Sequence, residues 1–304
     1  MHSEPKKSVL VTGGRGFIGR AVVKLLRRSG YPVISLDRSA APANELRGWL
    51  EIEGDVTEGA NFRSVVRAHR IHSIIHLAAI LPTAAQRDPV TAYEVNFKGG
   101  RTVVGEARST GVHRLVFGSS LSVYGTYPRD RVVSESDRAA PEDSYGAAKS
   151  FIEGFGQTSR ERDGGDFVSL RIGRVVGAGS NSVTSAWRSQ IFELLKSEQP
   201  AEICIPYRPA ERILVVHVDD VAEMLLALLS ASRTEHAIYN APCESILVGD
   251  LKRVVESLNP YLTVKLGDDR PLGNPQMLDF SRFQKEYAVE TTSIFDRLRN
   301  AAGK

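Results

Sequence analysis

The sequence predicts an α/β protein: a doubly wound parallel sheet with helices on both faces, followed by a smaller C-terminal lobe. Two observations predict it. Short apolar runs alternate with amphipathic segments through the first two thirds of the 304 residues. The first apolar run passes straight into a glycine-rich turn and then into an amphipathic segment. Strands alternating with helices at this spacing imply a parallel sheet covered on both faces, and the right-handed crossover rule makes it doubly wound.

The elements follow in order. Ser8–Thr12 reads as a buried strand, Gly16–Arg28 as a helix stopped by Ser29-Gly30, and Val33–Asp37 and Leu50–Glu53 as strands. Asn61–Arg70 is a helix, Ser73–Leu77 a strand, and Pro89–Thr110 a long helix closed by Gly111. Arg114–Ser119, Ser144–Arg162 and Phe167–Ile172 read as strand, helix and strand. After Gly173 the pattern loosens. Ala186–Ser197 is a helix, Ile213–Val218 a strand and Asp219–Ser230 a helix. Ile238–Asn240, Val248–Leu258 and Leu262–Leu266 add strand, helix and strand; Gly267–Asn274 is a loop and Ser293–Asn300 the last helix. The expected division is a main domain over residues 1–173 and a smaller substrate lobe over 174–304, interleaved so that strands return to the main sheet.

Composition narrows the function classes. Hydrophobic residues at 42% and charged residues at 25% suit a soluble globular chain. The net charge of +3 is small and its lysines and arginines are scattered, which gives no argument for a nucleic-acid partner. Cys204 and Cys243 form no CxxC pair, so two free thiols in a reducing compartment are expected. No apolar stretch has the length of a membrane span, and the first residues lead into a strand rather than a signal peptide, so a cytoplasmic location is expected.

The turn Gly14-Arg-Gly16-Phe17-Ile18-Gly19 fits G-x-G-x-x-G, and Gly13 adds a second spacing, G-x-x-G-x-x-G. Glycines there permit a tight turn and close backbone approach to phosphate, while Gly19 lets the helix pack on the sheet. The N–H groups and positive end of the helix then face the anion. The context makes the fold Rossmann-type and the ligand a dinucleotide. Asp37 ends the second strand, where a carboxylate binds the ribose hydroxyls of NAD and repels the 2′-phosphate of NADP; the adjacent Arg38 is the group that could instead hold that phosphate. NAD is preferred. Asp55, before Val56, reads either as a turn or cap residue or as an adenine contact. Leu77-Ala78-Ala79 leave room for a ligand at the carboxyl edge of the sheet.

Ser120 follows the fifth strand and so lies at that same edge. Tyr145 and Lys149 share one face of the helix that follows. A phenol has a pKa of about 10 and is a poor base near neutrality. A neighbouring Lys149 and a positive nicotinamide ring would favour phenolate and lower that pKa, letting Tyr145 take a proton from a substrate hydroxyl that Ser120 orients. Lys149 would also hold the nicotinamide ribose.

These residues resemble the extended short-chain dehydrogenase/reductase group, the NAD-dependent epimerase/dehydratase family. The resemblance rests on Thr12–Gly19, Asp37, Gly54-Asp55-Val56, His76–Ala79, Asp88-Pro89 through Asn96, Phe117–Gly125, Tyr145–Lys149 and His217–Ala222. It implies bound NAD(P), a position near the cofactor for Asn96, catalytic roles for Ser120, Tyr145 and Lys149, and a homodimer built from the two long helices. Val123-Tyr-Gly125 aligns Ser120 rather than Ser119 or Ser122 with the catalytic hydroxyl.

Departures from the family pattern select among activities. The Asp-Glu pair of the 4,6-dehydratases is replaced by Leu121-Ser122, and the cysteine of the GDP-fucose-forming enzymes has no counterpart before Cys204. Neither dehydration nor that chemistry is expected. Nucleotide-sugar 4-epimerases need only reversible hydride transfer, for which Ser120, Tyr145 and Lys149 suffice. Arg212 resembles the arginine that binds a sugar-nucleotide diphosphate, yet one extra residue separates it from His217. The leading expectation is therefore a sugar-nucleotide epimerase. A dehydrogenase of a sugar or other small alcohol, or a non-catalytic dinucleotide sensor, are the alternatives. Arg171 and Arg174 either line the substrate mouth or are surface charges. His69, His72 and His76 lack a completing carboxylate, so no metal is expected; His217 is read as structural and Asp219 as a helix cap.

Overall fold

The computed structural model describes residues 6–38, 49–180 and 185–304; the first five residues of the amino-terminal stretch read above lie outside these. The chain opens with β1 (Val9–Thr12), α1 (Phe17–Arg28), β2 (Val33–Asp37), β3 (Trp49–Glu53), α2 (Gly59–Ala68) and β4 (Ser73–His76). Then come α3 (Pro82–Arg87), α4 (Pro89–Tyr93), a π-helical segment (Glu94–Gly99) and α5 (Gly100–Ser109). β5 (Arg114–Ser120), a 3-10 turn (Leu121–Val123), β6 (Val132–Val133), α6 (Ser144–Asp163), β7 (Asp166–Ile172) and β8 (Arg174–Val176) follow. The remainder holds α7 (Trp187–Glu193), β9 (Ala201–Tyr207), β10 (Arg212–His217), α8 (Val218–Ser230), β11 (Ile238–Asn240), β12 (Glu244–Leu247) and α9 (Val248–Leu258). It closes with β13 (Leu262–Asp269), β14 (Met277–Leu278), α10 (Ser281–Glu286) and α11 (Ile294–Ala302).

The main sheet is parallel throughout, in the order β11-β7-β5-β4-β1-β2-β3. The order reverses between β1 and β4, which creates the crevice at the carboxyl edge where ligands bind in open α/β sheets. The central strand β1 is buried at every position because both faces are covered. On one face its side chains join Val22, Val23 and Leu26 of α1 and Val221, Leu225 and Leu228 of α8. On the other, Leu10 and Ile74 meet Phe62 of α2, Val103 of α5 and Ile152 of α6. Each such side chain, fully buried, contributes roughly 1.5–3 kcal/mol.

The later segments form a second core from Trp187, Ile191, Ile203, Ile205, Leu251, Val264 and Leu298. Strand β10 is the shared wall. Ile213 and Val215 point into the second core, and Leu214 and Val216 into the first. β10 pairs with β8 and β12, β13 with β9, and β11 returns to the edge of the main sheet beside β7.

Several local expectations are corrected. The single helix expected over Pro89–Thr110 is interrupted by the π-helical segment, and α3 precedes it. β13 runs through Asp269, so the first residues of the expected Gly267–Asn274 loop are strand, paired with β9. α8 is capped by His217, whose ring nitrogen accepts from the Asp219 N–H, so Asp219 sits inside the first turn instead of capping it. Cys204 is an exposed free thiol and Cys243 a buried one.

Candidate active site

The glycine turn is built by contact. Gly13 has φ of 69°, and a side chain there would meet the Ala78 backbone nitrogen at 2.7 Å. A Cβ at Gly19 would lie 2.1 Å from the Gly13 carbonyl oxygen, so α1 can begin directly against the turn only with glycine there. Gly16 precedes Phe17 and Ile18 at the start of α1, which has no side-chain cap and no acidic residue in its first turn. An open, uncapped helix start beside a bare backbone cradle fits the pyrophosphate of a dinucleotide. Asp37 accepts a hydrogen bond from the Arg15 N–H at 3.2 Å, which holds its carboxylate at the rim of this turn. Arg38 is exposed in the turn that follows β2.

The neighbouring edge is tied down by polar contacts. Thr12 bridges from β1 to β4: its hydroxyl lies 2.6 Å from His76 Nδ1, and the N–H groups of Leu77 and Ala78 donate to it at 3.3 Å. Burial, with Lys149 nearby, pushes His76 down to about 3, so the ring is neutral. Asn96 holds Ile80 in both directions, accepting its N–H at 2.8 Å and donating to its carbonyl at 2.9 Å. Asn96 thereby fixes the Leu77–Ile80 segment, Ala79 included. Asp55 accepts from the Thr57 N–H at 2.9 Å, the turn role among its two readings, and Val56 is buried beneath it.

Ser120, Tyr145 and Lys149 converge at the ends of β5 and α6. Asp143 caps α6 by accepting from the Gly146 N–H at 2.6 Å. A Cβ at Gly146 would approach the Ser122 carbonyl oxygen to 2.3 Å, so the first turn of α6 presses directly on the 3-10 turn after Ser120. That approach brings the phenol within hydrogen-bonding reach of the Ser120 hydroxyl. Ser120 also accepts from the Ser122 N–H at 3.2 Å. Lys149 Nζ donates to the Gly118 carbonyl at 2.6 Å and lies 5.5 Å from the centroid of the Tyr145 ring.

The charge states depart from the sequence expectation. Burial pushes the Tyr145 phenol up to about 12, with Asp143 adding to the rise and Ser120 and Arg188 opposing it. Without nicotinamide, Lys149 adds no depression of the phenol, and its own ammonium is pushed down to about 7 by burial, with Glu153 as the opposing influence. Both groups are buried, and desolvation disfavours each charged form.

Other predicted residues separate. Arg171 is buried in an ion pair with Glu153, its Nη2 at 2.7 Å, and takes no part at the mouth. Arg212 is turned outward: exposed, it donates to the Ser245 carbonyl at 3.2 Å, and the inward-facing neighbour is Ile213. His72 stacks on His113 with centroids 4.7 Å apart, away from His76 and its Thr12 bond.

Arg174 is buried and its Nε donates to the Tyr207 hydroxyl at 3.4 Å. Arg188, which the sequence reading missed, reaches the same hydroxyl and acts on the Tyr145 phenol. Tyr207 was missed with it because β9 was not foreseen. The alternation of Ala201–Tyr207, with Ile203 and Ile205 turned inward, was the available signal.

Residues 9–241 match the NAD dependent epimerase/dehydratase family. The chain belongs to that family. Its members are NAD-dependent epimerases and dehydrogenases, and its cofactor is NAD. The UDP-glucose 4-epimerase of Erwinia amylovora is 33% identical over 156 residues, 48% of this chain and 46% of that protein. The corresponding enzyme of Halalkalibacterium halodurans is 32% identical over 57% of this chain and 52% of its own length. The matches thus span about half the length of these relatives. Among solved structures, the NAD complex of Thermus thermophilus UDP-glucose 4-epimerase superposes with a TM-score of 0.82 at 26% identity, covering 97% of this chain and 98% of that one. L-threonine 3-dehydrogenase from Trypanosoma brucei reaches 0.86 at 20% identity, covering 97% and 95%, a likeness of fold. Among the described residues no helix is long and apolar enough to cross a membrane.

Proposed function

We propose that the protein oxidises and reduces a secondary alcohol with Tyr145 as the acid–base group, and that it works as a net dehydrogenase. The observation that carries the chemistry is the meeting of Ser120 and Tyr145 at the carboxyl edge of the sheet, with Lys149 one helical turn along the same face. NAD, when bound, supplies the acceptor for the two electrons that leave with the carbinol hydrogen. Gly13, Gly16, Phe17, Ile18 and Gly19 would hold its pyrophosphate, Asp37 a ribose, and Lys149 the ribose nearer the reaction. Ser120 donates a hydrogen bond to the substrate oxygen and fixes it against the phenol. Tyr145 accepts the hydroxyl proton as the alcohol becomes a carbonyl and returns it in the reverse direction.

The outward turn of Arg212, with Ile213 in the second core, supports net dehydrogenation over epimerisation, since no arginine from β10 faces a sugar-nucleotide diphosphate. Epimerisation remains the second reading, favoured by the UDP-glucose 4-epimerases among the relatives. Incubation with NAD, a panel of small hydroxy compounds and UDP-sugars tests both. Stoichiometric NADH is expected. Epimeric product without NADH would replace the first reading by the second.

We also propose a homodimer through α4, the π-helical segment and α6. Val90, Tyr93, Phe151 and Phe155 are exposed there; Phe155 stacks on Phe151, which meets Phe97 at a tilt.

A further inference from the structure

Arg174 and Arg188 lie together around one phenol. The guanidinium of Arg174 is 5.5 Å from the Tyr207 ring centroid, its Nε donates to the Tyr207 hydroxyl at 3.4 Å, and Arg188 also reaches that hydroxyl. Arg174 is 8% exposed. The Arg188 Nε is enclosed without a hydrogen-bond partner. Other buried arginines are neutralised: Arg114 by Asp166 and Arg171 by Glu153. Among the described residues, no carboxylate pairs with Arg174 or Arg188. Burial, with the Arg174 guanidinium nearby, pushes Arg188 down to about 10. Two adjacent, desolvated like charges weaken a fold unless an anion joins them. The charge of the same Arg188 acts on the Tyr145 phenol, so an anion here would lie toward the reacting end of a bound substrate.

We propose that Arg174, Arg188 and Tyr207 form an anion site next to Tyr145, and that the substrate alcohol carries a carboxylate close to its reacting carbon: a small hydroxy acid or sugar acid. This rests on the oxidoreductase reading above and names its substrate class. A carboxylate accepts two parallel hydrogen bonds from a guanidinium fork, and the Tyr207 hydroxyl can donate a third. In the oxidation the carbinol carbon gives a hydride to NAD and its hydroxyl gives a proton to Tyr145. The products are a keto acid, NADH and a proton, and the carboxylate is unchanged. A phosphate could use the same donors. The influence of Arg188 on the Tyr145 phenol, together with the outward turn of Arg212, favours an anion on the reacting fragment over a remote diphosphate.

Calorimetric titration of malonate, inorganic phosphate and UDP into the NAD-loaded protein tests this, alongside NADH formation from hydroxy acids and their neutral amides. Malonate is expected to bind, phosphate and UDP to bind at least about tenfold more weakly, and the amides to be oxidised poorly. Arg174→Gln and Arg188→Gln should each weaken malonate at least about tenfold while the circular dichroism spectrum stays native. If either fails to fold, Arg188→Lys is read instead, where a loss of about threefold supports the site and no loss overturns it. Unchanged malonate affinity in folded glutamine variants overturns the proposal. Tighter, Arg188-dependent binding of phosphate or UDP overturns the carboxylate assignment. Tyr145→Phe should bind malonate like the wild type. If that variant also turned over normally, the catalytic reading would fall while the anion site stood.

Discussion

Tyr145 is buried, and its phenol in the free protein holds its proton up to about 12. On the proposed chemistry it is set to donate to a carbonyl, and needs bound cofactor and substrate to act as a base. Replacement by Phe should lower turnover by about 10²–10⁴-fold with NAD affinity retained, as read by steady-state rates and by calorimetry. Alcohol oxidation should rise with pH across the neutral and alkaline range, because the accepting group has an elevated pKa. An oxidation rate that falls between pH 7 and 9 would contradict this. Lys149 gives a stability signature of its own. Its folded-state pKa is about 7, against 10.5 ordinarily. Between those values the unfolded chain binds more protons, so the folded state gains stability as pH rises. Wild-type melting temperature should thus climb relative to Lys149→Met between pH 7 and 9. In the proposed site Asp37 holds a ribose of NAD, so Asp37→Ala should raise KM for NAD and lower it for NADP, with Arg38 placed to meet the extra phosphate; an unchanged preference would remove Asp37 from that role.

At the scale of elements, the interrupted long helix explains how a buried side chain reaches the cofactor edge. The π-helical segment widens the helix where Gly99 and Gly100 press on Val56 and Ile152. Asn96 in that segment satisfies the N–H and carbonyl of Ile80, two groups with no strand partner. Asn96→Ala should cost about 1–3 kcal/mol, seen in denaturant unfolding, and should loosen NAD binding with it. The helix period was legible in Pro89–Thr110, but the π-helical interruption over Glu94–Gly99 was not, since an apolar pattern of helical spacing does not distinguish it from α-helix. β9 escaped notice for a related reason. Its half-buried alternation includes Pro206, and its partner β13 lies far along the chain. The glycine turn, Asp37, Ser120 and Tyr145 were legible because each ends a strand or starts a helix, where residue type is dictated locally. Arg188 was not, since one arginine in an amphipathic helix looks like surface until β9 closes over it.

For the whole molecule, the exposed aromatic face along α4 and α6 predicts the assembly. Phe151→Glu together with Phe155→Glu should convert a dimer to a 33.3 kDa monomer in sedimentation, with the circular dichroism spectrum retained. A wild-type protein that sediments as a monomer at micromolar concentration would refute that interface. The carboxyl-terminal segments do more than add a lobe. β10 divides the two cores, and α8 packs on α1 beneath the glycine turn.

Sequence by itself determined the parallel sheet, the glycine turn that opens the first helix and the hydroxyl–phenol pair. Strand and helix periods, and glycines that admit no side chain, are local constraints readable in chain order. Tertiary structure alone decided the charge states of Tyr145 and Lys149, the outward turn of Arg212, and the meeting of Arg174 with Arg188. Desolvation and unpaired charge depend on what covers a group, and that cover comes from residues distant in sequence.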